Sequence, residues 1–312
     1  MDFKKEEGLN QMKTFNWFPG HMKKTFDQIQ QNLSLVNIVL LMLDARTPFS
    51  SINFKLLSLI KTYQKPFLFL LNKFSLTDSQ KIKPFLDYYS RNKISVLKID
   101  AIKKNKNFAI YKQALKIIQT PNSCFKLKKS IFANKPNIKM MIVGMPNVGK
   151  STLINSFSGK KVLKTTNLAG TTKKTQWVKT LYPNIQFLDT PGVLYHRFYD
   201  KTISLSLALS GSFKDSVLPL EQLGEHALNY LKKHYFNNLI KRFNLSMLDQ
   251  NDIQNVNLID LIGKKRNFYI GNQKIDEKKV YQVILQEIRE GRLGKINFDL
   301  DILPLLDNFF TN

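Results

Sequence analysis

The sequence predicts an α/β protein with a mostly parallel sheet, followed by a small all-α C-terminal region. Three observations carry that expectation. Continuous apolar runs of strand length recur over 36–43, 66–71, 94–99 and 139–143, the pattern of strands buried on both faces. Stretches of helical periodicity separate them, a spacing that implies parallel strands joined by right-handed crossovers. After about residue 211 strand signals fade and helical patterns take over.

Taken in order, residues 1–15 form a polar N-terminal tail, followed by the aromatic and turn-rich segment Asn16-Trp17-Phe18-Pro19-Gly20-His21-Met22. A helix is expected over 23–33, a strand over 36–43, and an amphipathic stretch over 53–63. The strand over 66–71 runs directly into Asn72-Lys73. Thr77-Asp78-Ser79-Gln80 has the form of a capping box, with a helix to about residue 90. A third strand over 94–99 and a helix over 108–118 follow. Two prolines and four lysines without periodicity mark 120–137 as a linker. Strands are then expected at 139–143, 177–182 and 185–188. Helices are expected at 223–243, 256–262 and 277–288. In the last of these, Val280, Val283, Ile284 and Ile288 share a face that excludes Lys278, Lys279 and Arg289.

The chain has 312 residues, enough for roughly two domains. Its single cysteine, Cys124, leaves no internal disulfide and points to a reducing compartment. The most apolar stretch ends at Asp44, too short to span a bilayer, and the first residues lack the apolar core of a signal peptide. The expectation is a cytoplasmic protein without a membrane partner. Forty-eight Lys+Arg against 23 Asp+Glu give a net charge of +25, which favours a polyanionic partner such as nucleic acid. A Lys-, Asn-, Ile- and Phe-rich composition also follows from codon bias, so charge alone does not name that partner.

The chemistry is concentrated in Gly144-Met145-Pro146-Asn147-Val148-Gly149-Lys150-Ser151, which reads G-x-x-x-x-G-K-S. A strand precedes it and a helix begins at Thr152, so loop amides and the helix dipole face a phosphate. Lys150 would reach the β/γ-phosphates and Ser151 would hold magnesium. Asn147, Val148, Gly149 and Thr152 complete the cradle. Asp189-Thr190-Pro191-Gly192 follows a strand, where an α/β sheet places ligands. Asp189 can hold magnesium, and the Gly192 amide can reach a γ-phosphate. Between these motifs Thr172, with Thr171 beside it, offers a hydroxyl to magnesium and γ-phosphate. These features together imply a nucleoside triphosphate.

Asn72-Lys73 resembles the base-reading N-K-x-D of GTPases. Asn72 would tie the base site to the phosphate loop, and the Lys73 stem would cover a purine face. The fourth position is Ser75, where an aspartate would accept from N1–H and N2–H of guanine. A neutral oxygen in its place predicts weaker or less selective guanine binding. Asp78 is nearby, but a helix-capping role suits it better. Asp100-Ala101 could supply an amide to the base's O6. The order of motifs is also unusual, since the base-reading residues precede the phosphate loop. A sheet can be reconnected in this way when its old termini are joined and a new break is made elsewhere. The 120–137 linker would be that join, and the chain would then pass from the switch region straight into the C-terminal helices.

With this motif order, the chain resembles the bacterial, circularly permuted ribosome-biogenesis GTPase A (YlqF/RbgA) family. The resemblance runs from Asn16 to Asp299. It includes Trp17-Phe18-Pro19-Gly20-His21-Met22, Asp44-Ala45-Arg46-Thr47-Pro48 with Ser50-Ser51, both phosphate-site motifs, Ile262-Gly263-Lys264-Lys265-Arg266 and Leu293-Gly294-Lys295. It implies a permuted GTPase domain over 16–212 and a helical RNA- or ribosome-binding domain over 213–312. It further implies a monomeric GTPase acting late in assembly of the large (50S) ribosomal subunit, with ribosomal RNA and ribosomal proteins as partners. RNA is read largely by shape and backbone contact, for which Lys264, Lys265, Arg266, Arg289, Arg292 and Lys295 are candidates. Val193 occupies the position after D-x-x-G where many GTPases orient water with glutamine. The resemblance suggests His21 for that task, with His196 a weaker candidate, and Asn147 is compatible with a potassium ion. Rival readings are a nucleotide-gated RNA-binding factor that barely hydrolyses, a nonselective NTPase, and, last, a membrane-associated GTPase.

Overall fold

The structure, a computed structural model, describes residues 20–103, 106–119, 137–163, 175–182, 184–193, 201–212, 219–245 and 257–308. In chain order the first elements are α1 (Gly20–Asn32), β1 (Ile38–Asp44), α2 (Phe54–Thr62), β2 (Phe67–Asn72), α3 (Lys83–Arg91), β3 (Val96–Lys98) and α4 (Asn107–Ile118). Then come β4 (Ile138–Gly144), α5 (Lys150–Ser158), β5 (Gln176–Lys179), β6 (Ile185–Asp189) and α6 (Lys201–Leu209). The six strands form one sheet in the order β3-β2-β1-β4-β6-β5. Every pairing is parallel except that of the edge strand β5 with β6. The strand order reverses between β1 and β4. A doubly wound sheet opens its ligand crevice outside the carboxyl ends of such a pair.

All seven residues of β1 are buried, because both faces of the sheet are covered. Ile38, Leu40 and Met42 join Met140 and Ile142 against residues of α4 and α5. Val39, Leu41 and Leu43 join Met141 and Val143 on the opposite face, with Ile29 of α1, Leu56 of α2 and Phe85 of α3. Asn53 caps α2 by accepting from the Leu56 amide at 3.1 Å. The capping box expected at Thr77 is replaced by a different device. Asp78 Oδ1 accepts from the amides of Gln80 and Lys81, and α3 begins only at Lys83. A carboxylate satisfies those two amides where Thr77, which is buried, does not.

Beyond the sheet lie α7 (Leu220–His234), α8 (Phe236–Phe243), α9 (Leu258–Arg266), a hairpin of β7 (Tyr269–Ile270) and β8 (Lys274–Ile275), α10 (Glu277–Arg289) and a 3-10 segment over Leu300–Asn308. The single helix expected over 223–243 is two. It breaks at Tyr235, whose φ of −142° leaves the helical region and whose hydroxyl accepts from the Asn297 amide at 2.8 Å. α7 and α10 touch at Gly224, where a Cβ would strike the Tyr281 ring. Leu223, Leu231, Ile284 and Ile288 share one core with Met140 and Phe187 of the sheet. The buried Glu287 of α10 accepts from Arg242 of α8 at 2.8 Å, and that hydrogen bond holds its carboxyl below the usual range.

Candidate nucleotide-binding site

The phosphate loop leaves β4 at the point where the strand order reverses. Three residues take left-handed backbone there: Gly144 (φ +151°), Asn147 (φ +58°) and Gly149 (φ +102°). A Cβ on Gly144 would meet the Met42 carbonyl, and one on Gly149 the Asn72 amide nitrogen, so both positions need glycine. Lys150 is buried and donates to the carbonyls of Gly144 at 3.1 Å and Met145 at 2.7 Å. Burial pulls its ammonium down to about 8, with Asp189 opposing that fall.

Asp189 ends β6 and is fully buried. The segment after it is braced on the phosphate loop. Thr190 Oγ1 donates to the Ile142 carbonyl at 2.7 Å, the Val193 amide donates to the Gly144 carbonyl at 3.2 Å, and a Cβ on Gly192 would lie 2.9 Å from Pro146 Cα. The Val193 side chain is buried in the core, and Asn53 Nδ2 holds its carbonyl at 3.1 Å. The residue that follows D-x-x-G is thus packing, not chemistry. A hydroxyl at Ser151 and a carboxylate at Asp189 are hard oxygen donors of the kind magnesium takes. Thr171, Thr172, His196 and the side chain of His21, in the first turn of α1, lie outside the described residues.

The base side is held by Asn72. Its Nδ2 donates to the Val148 carbonyl at 2.7 Å, and its Oδ1 accepts from the Ala101 amide at 2.7 Å. One side chain therefore joins the β2 end, the β3 end and the phosphate loop. The Ala101 amide, expected to face the base, is used for this brace. Lys73 has left-handed backbone, and its ammonium donates to Asp44 Oδ2 at 2.8 Å. Ser75 is exposed, and its amide and hydroxyl both donate to Asp100 Oδ1, at 2.9 and 3.0 Å.

Asp44 is the hub behind this site. Burial pushes its carboxyl up, but Arg46 and Lys73 outweigh that and hold it well below the usual carboxylate range. Arg46, itself buried, grips both carboxylate oxygens and also donates to the Ser210 carbonyl at 3.0 Å. The phosphate loop reaches the same turn, since Asn147 Nδ2 donates to the Gly211 carbonyl at 2.8 Å. A second buried carboxylate, Asp299, clasps the loop after β1 by accepting from the Phe49 and Ser50 amides at 2.8 Å and from Ser50 Oγ at 2.7 Å. Burial raises its carboxyl to about 6 against those hydrogen bonds.

The basic residues assigned to RNA do not behave alike. Lys264, Lys265 and Lys295 are exposed. Arg266 lies over the Phe243 ring, and Arg292 pairs with Glu290 at 2.6 Å. Arg289 departs from the expected surface role. It is half-buried, and its guanidinium donates to the Ala208 carbonyl at 3.0 Å, tying α10 to α6. No helix among the described residues is long and apolar enough to cross a membrane. Arg46 and Asp299 were legible only as parts of a family-like segment, because no local spacing gives them a role.

Comparison with known proteins agrees with this geometry. Residues 139–218 match a family model described as a 50S ribosome-binding GTPase. Ribosome biogenesis GTPase A of Priestia megaterium is 37% identical, over 92% of this chain and 96% of that protein. The Bacillus cereus protein of the same name is 36% identical over 91% and 93%. A probable ribosome biogenesis GTPase A of Mycoplasma genitalium is 31% identical over 92% and 97%. GNP-bound YlqF from T. maritima shares the fold at a TM-score of 0.56 and 22% identity, covering 88% of this chain and 97% of that one. The sheet is that of a circularly permuted nucleotide-binding domain, and the chain belongs to the ribosome biogenesis GTPase A family.

Proposed function

We propose that this chain binds GTP and magnesium, hydrolyses GTP, and acts as an assembly factor for the large ribosomal subunit in the cytoplasm, as a monomer. The observation that carries the nucleotide reading is Asn72. It spans the base-side loop and the phosphate loop with two hydrogen bonds of 2.7 Å, so purine and triphosphate would be gripped by one rigid frame. Lys150 lies at the mouth of α5, where oxygen from a phosphate can replace the two loop carbonyls that its ammonium now contacts. Ser151, Asp189 and Thr172 are the residues that would hold magnesium, which when bound neutralises charge on the phosphates. Because Val193 is packed away, orientation of the attacking water falls to another group. His21 at the start of α1 is our candidate for it, and a potassium ion held with the help of Asn147 is our candidate for the added positive charge.

The division at about residue 212 into a GTPase domain and a C-terminal RNA-binding domain is part of the same reading. Lys264, Lys265 and Lys295 suit a phosphate backbone, since all three are exposed. Neutralising one of them should lower the salt dependence of RNA binding by about one counterion. Sedimentation with large ribosomal subunits in GDP, in a non-hydrolysable GTP analogue and without nucleotide tests the whole reading, together with turnover measured with and without those subunits. Association favoured by the analogue and turnover stimulated by the subunits are expected. Association indifferent to nucleotide, or turnover unmoved by the subunits, would leave only a weakly hydrolysing RNA-binding factor.

A further inference from the structure

The fourth residue of the base-reading motif is the place where this chain departs from the pattern it otherwise follows, and the structure shows what stands beside it. Ser75 follows the left-handed Lys73 in a 3-10 turn over Phe74–Leu76, closed by the Leu76 amide on the Lys73 carbonyl at 2.9 Å. Its side chain occupies the position from which an aspartate would accept the two donors of guanine's N1 and N2. Asp100 arrives from the end of β3, one hydrogen bond away. Its Oδ1 receives both the Ser75 amide and the Ser75 hydroxyl. The other oxygen, Oδ2, has the Lys103 ammonium at 3.9 Å, beyond hydrogen-bond reach, and the side chain is 21% exposed.

The geometry points to Asp100 as the base-reading carboxylate of this chain, with Ser75 as the residue that positions it. The carboxylate has changed loops: where the motif puts aspartate after Asn72-Lys73, this chain puts serine there and aspartate one strand over. The hydroxyl of Ser75 has a single proton, and that proton goes to Asp100, so the pair presents an anion that serine alone cannot. A carboxylate accepting from N1–H and N2–H selects guanine over adenine, which offers no donor at N1. The guanine selectivity that Ser75 by itself would forfeit is thereby recovered. This inference rests on the GTP reading above and names the group that discriminates the base.

The test is equilibrium binding of fluorescent GDP, competed with GDP, xanthosine diphosphate and ADP, on the full chain and on three variants. Asp100→Asn turns an acceptor towards guanine's donors into a donor, so GDP affinity should fall by about 100-fold. The same amide can donate to the C2 carbonyl of xanthine, so xanthosine diphosphate should now bind better than GDP. Ser75→Asp alone sets two carboxylates side by side and should weaken GDP binding. The exchange Ser75→Asp with Asp100→Ser returns a single carboxylate to the motif's own position and should restore GDP to within about tenfold of the parent chain. If the parent binds neither GDP nor GTP, the GTP reading itself fails. If it binds GDP selectively while Asp100→Asn keeps that preference, or while Ser75→Asp alone tightens GDP, Asp100 is not the reader. A misfolded Asp100→Asn leaves the decision to the exchange variant, whose failure to recover GDP over ADP also overturns the assignment.

Discussion

Replacing Asp44 by asparagine keeps the shape of the side chain and removes one negative charge from a pocket that holds two cations. Arg46 Nη2 and Lys73 Nζ both lie 2.8 Å from Asp44 Oδ2, and the carboxylate is only 1% exposed. With the anion gone, a buried guanidinium and a half-buried ammonium face each other across a neutral amide. Breaking a buried ion pair from one side costs about 3–5 kcal/mol. At about 2.1 cal/mol/K of unfolding entropy per residue, this chain should lose about 1.5 °C of melting temperature per kcal/mol, hence about 5–8 °C in all. The carboxyl is held below its ordinary value in the folded protein. Its contribution is therefore present above about pH 4 and lost as pH falls further, so parent and variant should converge in acid. Lys73, freed of its anchor, should also hold a purine less well, by about tenfold in GDP affinity. Thermal melts at pH 7 and fluorescent GDP titrations read both effects. A melting temperature lowered by less than about 1 °C at pH 7 would refute the claim that Asp44 is the electrostatic hub of the base side.

Three further outcomes follow from the same structure. Lys150, held at about 8 by burial, should take up protons when the phosphates of a nucleotide bind. Calorimetry in buffers of different ionisation enthalpy should show about half a proton at pH 8 and almost none at pH 6.5; zero uptake at pH 8 would place Lys150 away from the phosphates. Gly149→Ala combines a φ of +102° with a Cβ directed at Asn72, so stability should fall by about 1–3 kcal/mol and GDP binding should be lost. Chemical denaturation and nucleotide retention on a filter check both. Asp299 has its carboxyl raised to about 6, so the stability it contributes is full below about pH 4 and is lost as pH rises through 6. Relative to Asp299→Asn, the parent chain should lose about 3 kcal/mol across that window, and a parent that gains stability there would reverse the assignment.

Much of this was readable from local pattern, and the remainder failed for identifiable reasons. The strands were legible because a doubly covered sheet demands unbroken apolar runs, as in β1 and β4. The phosphate loop was legible because its glycines answer to backbone geometry that no other residue supplies. Other features depend on partners far along the chain. Tyr235 ends α7 because its hydroxyl is claimed by Asn297, 62 residues later, and nothing in the 223–243 periodicity records that. The α3 start lies a few residues beyond the place the sequence predicts, because threonine and aspartate both suit a cap and only the fold shows which one accepts. Ser75 reads as a loss in the sequence because Asp100, the carboxylate it meets, lies 25 residues away. Arg289 fell on the polar side of its helix, and polarity does not distinguish a surface arginine from one tied to the α6 carbonyls.

The clasp of Asp299 on the loop after β1 also sets a clock. Phe49 leaves the peptidyl transferase centre 250 residues ahead of its partner. At about 5–20 residues per second, that is about 12–50 s of synthesis. Only in the first part of this interval, before residue 144 is made, do the base-side strands β1, β2 and β3 lack β4, the neighbour that brings the phosphate loop. A nascent chain arrested short of Asp299 should therefore show the 49–50 loop open to protease, whereas the released chain should protect it. The loop after β1 is thus clasped only after both sides of the nucleotide frame, joined by Asn72, have been made.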